Sequence, residues 1–170
     1  GFGGIITFNC SVNFTTNSQT ISHTGATYNG VITITGTITV TNTAERTIIN
    51  GGINGTASGS IYNNNGVTWL GSSSIPMSTG VFNYMNTSTS TLGYTFNGNY
   101  TLPYTVYAGL VVEGSGTKTL AGDTSIGYNL TGNNLGGNSK LDCLTYNLII
   151  TGTTFWGGLG GILSTSGILI

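Results

Sequence analysis

Tyr107-Ala-Gly-Leu110, Tyr128-Asn-Leu130 and Tyr146-Asn-Leu148 all fall within residues 94–152, and they repeat one another. Leu110, Leu130 and Leu148 recur in step, at intervals of 20 and 18 residues, with Leu120 and Leu141 between them in a similar slot. A period near twenty, with Gly, Asn, Thr and β-branched residues in every unit, is the pattern of one coil of a parallel β-solenoid. One coil is too small to bury its own apolar face, so it stacks on its neighbours. The spacing predicts parallel strands, with Leu110, Leu130 and Leu148 in one inward row. At this period the chain holds roughly eight coils. The usual sense of parallel crossovers makes the solenoid right-handed.

Composition agrees with an all-β protein. Only Glu45, Arg46, Glu113, Lys118, Asp123, Lys140 and Asp142 carry charge, far below an ordinary globular domain. Disordered chains are poor in aromatic and β-branched residues. This chain has nine Tyr, six Phe and two Trp, and is rich in Ile and Val. Helix formers are scarce, and no segment sustains apolar residues at helical spacing. Residues 1–170 read as a single domain, blurred in its repeat in the first half and clear in the second. The loop 70–80 looks like an insertion on a coil. No apolar run approaches the roughly 18 residues that span a bilayer. The chain begins at Gly1 without Met, as a mature form or a fragment would.

Alternation locates the strands. Residues 31–41 read V-I-T-I-T-G-T-I-T-V-T, with Ile32, Ile34, Ile38 and Val40 on one face and Thr33, Thr35, Thr37, Thr39 and Thr41 on the other. Further strands are expected over 5–14, 47–50, 66–70, 80–84, 94–96, 110–113, 124–131 and 144–151. Turn clusters rich in Asn, Gly and Ser separate them. Asparagines at matching corners of successive coils are expected to stack into amide ladders.

Tyr94-Thr-Phe-Asn-Gly98, Leu102-Pro103, the run from Leu110 to Leu120 (L-V-V-E-G-S-G-T-K-T-L), Asn129-Leu130 and Tyr146-Asn-Leu-Ile-Ile-Thr-Gly152 carry a resemblance. The chain resembles the large, repetitive surface proteins of Bacteroidetes, best over about residues 94–152. That resemblance implies a secreted β-solenoid at the cell surface or outside the cell, with an adhesive or structural role. The chain is shorter than the giant adhesins and ends without a recognisable sorting domain, which favours a small subunit.

The chemical inventory is thin. His23, the single histidine, reads as a surface-loop residue without the partners that a triad or zinc site needs. No glycine pair opens a helix, so no phosphate cradle forms. Asp123 and Asp142 are almost one coil apart and could approach to about 5 Å on adjacent coils. That suits a retaining glycosidase, but only Lys118 and Lys140 could complete such a site. The alternative places both carboxylates at corners, Asp142 beside Lys140. No enzymatic activity, cofactor or metal is expected. Three basic residues cannot neutralise a phosphate backbone, which excludes nucleic acid as a partner. The Thr row of residues 33–41 raises ice binding, which requires that row to repeat on several coils. Sequons at Asn9, Asn13, Asn54, Asn86, Asn99 and Asn129 permit glycosylation. Cys10 and Cys143 should lie about six coils apart, beyond the roughly 7 Å reach of a disulfide within one stack.

The ends carry the functional expectation. A solenoid exposes an open strand edge at each end, which natural examples blunt with a helix, charges or a polar cap. Here the terminal segments, about 1–14 and 155–170, are apolar and uncharged. Ile5, Ile6 and Phe8 at one end, and Phe155, Trp156, Leu163, Ile168, Leu169 and Ile170 at the other, are the candidate assembly surface. A head-to-tail contact that does not close generates a filament. The sequence therefore reads as a structural subunit that forms a homopolymer, an extracellular filament or matrix fibre. The alternative is a surface adhesin module whose exposed Tyr, Trp and Asn bind glycans.

Overall fold

The computed structural model describes residues 5–72, 77–132, 138–157 and 161–163. Among them there is no helix, and parallel strands stack into a right-handed β-solenoid of about seven turns. The chain divides into two compact units, Gly1–Ser90 and Thr91–Ile170.

The first unit is built from very short strands. Its first coil holds β1 (Ile6–Phe8), β2 (Val12–Phe14) and β3 (Gln19–Ile21). The second holds β4 (Ala26–Tyr28), β5 (Ile32–Ile34) and β6 (Thr39–Asn42). The third holds β7 (Thr47–Ile49), β8 (Ile53–Gly55) and β9 (Ile61–Asn64). The fourth holds β10 (Val67–Leu70) and β11 (Val81–Asn83). Three rows result: β1-β4-β7-β10, β2-β5-β8 and β3-β6-β9-β11. Every pairing along them is parallel and in continuous register.

Register makes the core. Phe8, Tyr28, Ile49 and Leu70 form one inward column, and Val40, Tyr62 and Phe82 form another, with the exposed Gln19 opposite Val40 at its open end. Aromatic rings stack along these columns, Phe8 on Tyr28 at 4.8 Å and Phe82 on Tyr62 at 5.3 Å between centroids. One stretch of the interior is polar. Asn42, Thr47, Asn64 and Thr68 have no exposed surface. Asn42 Nδ2 donates to Asn64 Oδ1 (3.3 Å) and Thr68 Oγ1 (3.0 Å), and Asn42 Oδ1 accepts from Thr47 Oγ1 (3.0 Å). Thr68 Oγ1 donates to Asn64 Oδ1 at 3.0 Å, and the Tyr62 hydroxyl lies 3.1 Å from Thr68 Oγ1. Each amide is thereby matched, as a dry interior requires.

Two long strands expected from alternation are each broken by a corner. Residues 5–14 divide into β1 and β2, and residues 31–41 into β5 and β6. In the second case the chain turns at Gly36, whose φ of 75° is left-handed. Thr35 Oγ1 donates to Asn13 Oδ1 (2.7 Å), and the Gly36 N–H donates to Thr56 Oγ1 (2.9 Å), so neighbouring coils hold this corner. Alternation of Thr with apolar residues runs through the bend, so a period of two does not reveal it.

The second unit has longer strands: β12 (Thr91–Tyr94), β13 (Tyr100–Leu102), β14 (Val106–Val112), β15 (Ser115–Leu120), β16 (Thr124–Gly132) and β17 (Asn138–Asp142). Its last coil reverts to short ones, β18 (Leu148–Ile150), β19 (Thr153–Trp156) and β20 (Gly161–Leu163). Strands β12-β14-β16 stack in one row, where β16 pairs with both β18 and β19, and β13-β15-β17-β20 form the other. A bulge at Tyr107/Gly109 shifts the β14–β16 register.

The parallel leucine row is partly as expected. Leu92, Leu110 and Leu130 are in register and buried. Leu148 is also buried in this row, but it lies opposite Thr124, while Thr154 lies opposite Leu130. The interval to Leu148 is short because β18 packs on the front half of β16 and β19 on the back half.

Candidate assembly edges

Strands β1, β2 and β3 each pair on one side only among the described residues. Their other edge presents backbone N–H and C=O groups in three short rows. Ile5 and Ile6 are 61% and 47% exposed, and Phe8, Val12 and Phe14 are half-buried. In the last coil of the second unit, β18, β19 and β20 also pair on one side only among the described residues. There Phe155 is 57% exposed and Trp156 half-buried, its ring against Gly132. The backbone of Leu163 lies in β20. Ile168, Leu169 and Ile170 lie outside the described residues.

The corner after β1 carries an amide ladder. Asn29 Nδ2 donates to Asn9 Oδ1 (2.7 Å), and Asn50 Nδ2 donates to Asn29 Oδ1 (2.8 Å). Gly71 ends the ladder, because a Cβ there would meet Asn50 Oδ1. Beside it runs a glycine column. A Cβ on Gly30 would meet the Cys10 carbonyl group and the Ser11 nitrogen, and one on Gly51 would meet the Gly30 carbonyl group. Coil spacing leaves no room for a side chain at this inner corner. Other sequon asparagines also tie coils together. Asn13 accepts from Thr35, Asn54 accepts from Ser78 and the Thr79 N–H, Asn86 donates to Asn65, and Asn99 accepts from the Thr117 N–H.

The carboxylate pair is not brought together by register. Asp142 stands opposite Thr119, not Asp123. Asp123 accepts from the Asn147 N–H (2.8 Å) and from Asn147 Nδ2 (3.3 Å), and Asp142 accepts from the Leu144 N–H (2.9 Å). Both hold corners. His23 sits half-buried, its two ring nitrogens without a hydrogen-bond partner, and burial lowers its pKa below the usual 6.5. Cys10 is exposed, Cys143 is buried, and both thiols are free. Burial first, and Asp142 second, push the Cys143 thiol up. No group of three or more His, Cys, Asp or Glu side chains that could hold a metal occurs among the described residues. No helix of the described residues is long and apolar enough to cross a membrane.

Lys118 is the residue that sequence reasoning misplaced. It was available as a charge for a sugar site, yet it has no exposed surface. Its Nζ donates to Phe96 O (3.0 Å), Gly98 O (2.8 Å) and Ser115 O (3.0 Å), and lies 4.8 Å from the Phe96 ring centroid. An ammonium has three N–H donors, and each has a carbonyl here. Burial lowers its pKa. The signal in sequence was faint: a lysine at an inward position of an alternating T-K-T-L run.

The outward threonines do not make an array. Their columns read Thr7-Thr27-Ile48-Trp69, Asn13-Thr33-Asn54 and Thr20-Thr41-Asn63-Asn83. Among the described strand residues of the first unit, no outward Thr column runs over more than two coils, so the Thr row of residues 33–41 does not repeat as a flat array within the strands. The aromatics face inward more than outward. Tyr28, Tyr62, Tyr94 and Tyr107 are buried, and Tyr128 is the one tyrosine classed as exposed. A depression of about 250 Å³ is lined by Phe82, Asn83, Tyr84, Met85 and Asn86, with the Tyr84 phenol its single titratable group. Comparison of the chain with protein-family profiles, with characterised proteins and with solved structures finds no match.

Proposed function

We propose that the chain is a structural subunit that assembles end to end, through its open coil edges, into an extracellular filament or matrix fibre. The observation that carries this reading is a pair of coil edges, β1–β3 and β18–β20, each paired on one side only among the described residues and each bearing exposed apolar side chains. Unpaired strand edges template further strands. Burying Ile6 or Phe155 fully would contribute roughly 1.5–3 kcal/mol per side chain. With seven charged side chains in the sequence, little repulsion opposes the contact, and salt has little to screen. The extracellular setting rests on the sequence resemblance.

The purified protein is expected to form long polymers by electron microscopy without any ligand, in low and in moderate salt. Placing Lys at Ile6 and at Phe155 should return it to monomers by sedimentation. A parent protein that stays monomeric at high concentration sinks the reading, as does a double variant that polymerises equally well. An adhesin module would instead stay monomeric and bind a glycan saturably.

The same reading expects no hydrolysis of a polysaccharide panel. The corner bonds of Asp123 and Asp142 support this, since each carboxylate is engaged in holding backbone. Cleavage that disappears in Asp123→Asn and Asp142→Asn would overturn it.

A further inference from the structure

The chain holds five Asn-Gly pairs, at residues 29–30, 50–51, 54–55, 65–66 and 97–98. Asparagine deamidates most readily before glycine, which has no Cβ to keep the preceding side chain from its nitrogen. Four of the five side chains are tied to another coil. Asn29 Nδ2 donates to Asn9 Oδ1, and Asn29 Oδ1 accepts from Asn50 Nδ2. Asn54 Oδ1 accepts from the Thr79 N–H (2.8 Å) and the Ser78 hydroxyl (3.2 Å), and Asn65 Oδ1 accepts from Asn86 Nδ2 (2.6 Å). Asn97 is exposed, and its side chain has no hydrogen-bond partner among the described residues.

Packing at the glycines separates the same four from the fifth. A Cβ on Gly30 would meet the Cys10 carbonyl group, one on Gly51 the Gly30 carbonyl group, one on Gly55 the Ser60 side chain, and one on Gly66 the Ala44 carbonyl oxygen. Those peptide units are pressed against neighbouring chain and cannot turn to present their nitrogens. Gly98 has a φ of 103° and nothing within 4 Å of its would-be Cβ. The Gly98 N–H does donate to Ser115 O (3.0 Å), but the Gly51 and Gly55 N–H groups are bonded as well, so this does not distinguish it.

We propose that Asn97-Gly98 is a self-modification site, where the folded chain deamidates first, and that the product loosens the Lys118 cage. The Gly98 nitrogen attacks Asn97 Cγ and loses its proton. The N–Cγ bond forms, the Cγ–Nδ2 bond breaks, and Nδ2 leaves with that proton as ammonia. Water then opens the succinimide, at Cγ to give aspartate or at the main-chain carbonyl to give isoaspartate. In isoaspartate the main chain runs through Cβ and is one atom longer just before Gly98. Gly98 O accepts from Lys118 Nζ, and Ser115 O accepts from both Lys118 Nζ and the Gly98 N–H. Displacing Gly98 therefore disturbs two of the three acceptors of the ammonium. The proposal is independent of end-to-end assembly.

Peptide mapping of the intact folded chain, aged at mildly alkaline pH, tests the site. Asn97 should deamidate at least about fivefold faster than Asn65, the factor that one net hydrogen bond contributes, and faster still than Asn29, which makes two. In urea that unfolds the chain, all the Asn-Gly sites should react at similar rates. Amine acylation reads the cage. Lys118 has no exposed surface and should be unreactive in fresh protein, then become reactive as isoaspartate accumulates, with the exposed Lys140 as the constant reference. Asn97→Gln closes a larger ring only slowly and should keep Lys118 protected through the same ageing. Fresh Asn97→Asp adds the charge without lengthening the main chain and should also keep it protected. An Asn97 that stays intact, another Asn-Gly site that keeps pace with it in the folded chain, or the same ranking in urea overturns the site. Lys118 that stays unreactive after Asn97 has isomerised, or that becomes equally reactive in aged Asn97→Gln, overturns the effect on the cage.

Discussion

Lys118→Met is expected to destabilise the second unit by about 4 kcal/mol, read as a lower denaturation midpoint at unchanged slope. Met keeps the length and apolar stem of lysine, so packing is nearly conserved. What is lost is the donor to Phe96 O, Gly98 O and Ser115 O. A hydrogen bond to a charged group contributes about 1.5–3 kcal/mol, and each buried carbonyl left without a donor costs about 1–3 kcal/mol. The ammonium also leaves a pH signature. Burial lowers its pKa below the ordinary 10.5. Between the lowered value and 10.5 the unfolded chain holds a proton that the folded chain releases, so stability rises with pH across that window. Lys118→Met should abolish this slope. A variant as stable as the parent, with the slope intact, would show that the cage does not bear on folding.

Gly51→Ala should be nearly as severe, about 3 kcal/mol, which for a protein of this size lowers Tm by about 6–12 °C. The added Cβ would meet the Gly30 carbonyl group and lie 2.6 Å from Asn29 O. Both are backbone, and both belong to a neighbouring coil held by the Asn50–Asn29 bond. Strand spacing near 4.8 Å cannot open locally without breaking that ladder. Gly36→Ala provides the contrast. Gly36 has a φ of 75° but nothing within 4 Å of its would-be Cβ, so it bears only the left-handed penalty of about 1–2 kcal/mol. If the two alanine variants melt together, close approach is not what selects glycine at residue 51.

The parallel solenoid was legible because turn residues and a period near twenty recur together. Its regularity was legible in the wrong place. Residues 94–152 repeat visibly, yet the first unit is the more even stack. There Ile6, Ala26, Thr47 and Thr68 follow one another in register, as do Phe8, Tyr28, Ile49 and Leu70. Those columns mix Tyr, Ile, Leu, Thr and Ala, since an inward position asks for volume complementary to its neighbours, not for one residue type. Such a repeat leaves little trace in identities. Leu148 shows the opposite error, a matching leucine out of register because β16 carries two partners.

The edges fall where the terminal segments are apolar, and the amide ladder was legible as asparagines at matching corners of successive coils. The Lys118 cage was not. Its three acceptors are backbone carbonyls, which exist at every residue and so mark no sequence. The separation of Asp123 from Asp142 was hidden for a related reason. A spacing close to one coil predicts vicinity only if coil length is constant, and here Asp142 falls opposite Thr119.

Coils of nearly equal length pose a problem of identity: any one could adhere to the wrong neighbour, or to the same coil of another chain. The buried quartet of Asn42, Thr47, Asn64 and Thr68 works against that error. Asn42 Nδ2 finds its acceptors when Asn64 arrives on the next coil and Val67 and Thr68 on the one after, and its own oxygen is met by Thr47 and the Ala44 N–H. A skipped or exchanged coil would leave amides dry and unmatched, at about 1–3 kcal/mol for each group. Apolar columns accept almost any neighbour, whereas this quartet accepts one. It therefore favours the native order of coils over a skipped or exchanged one.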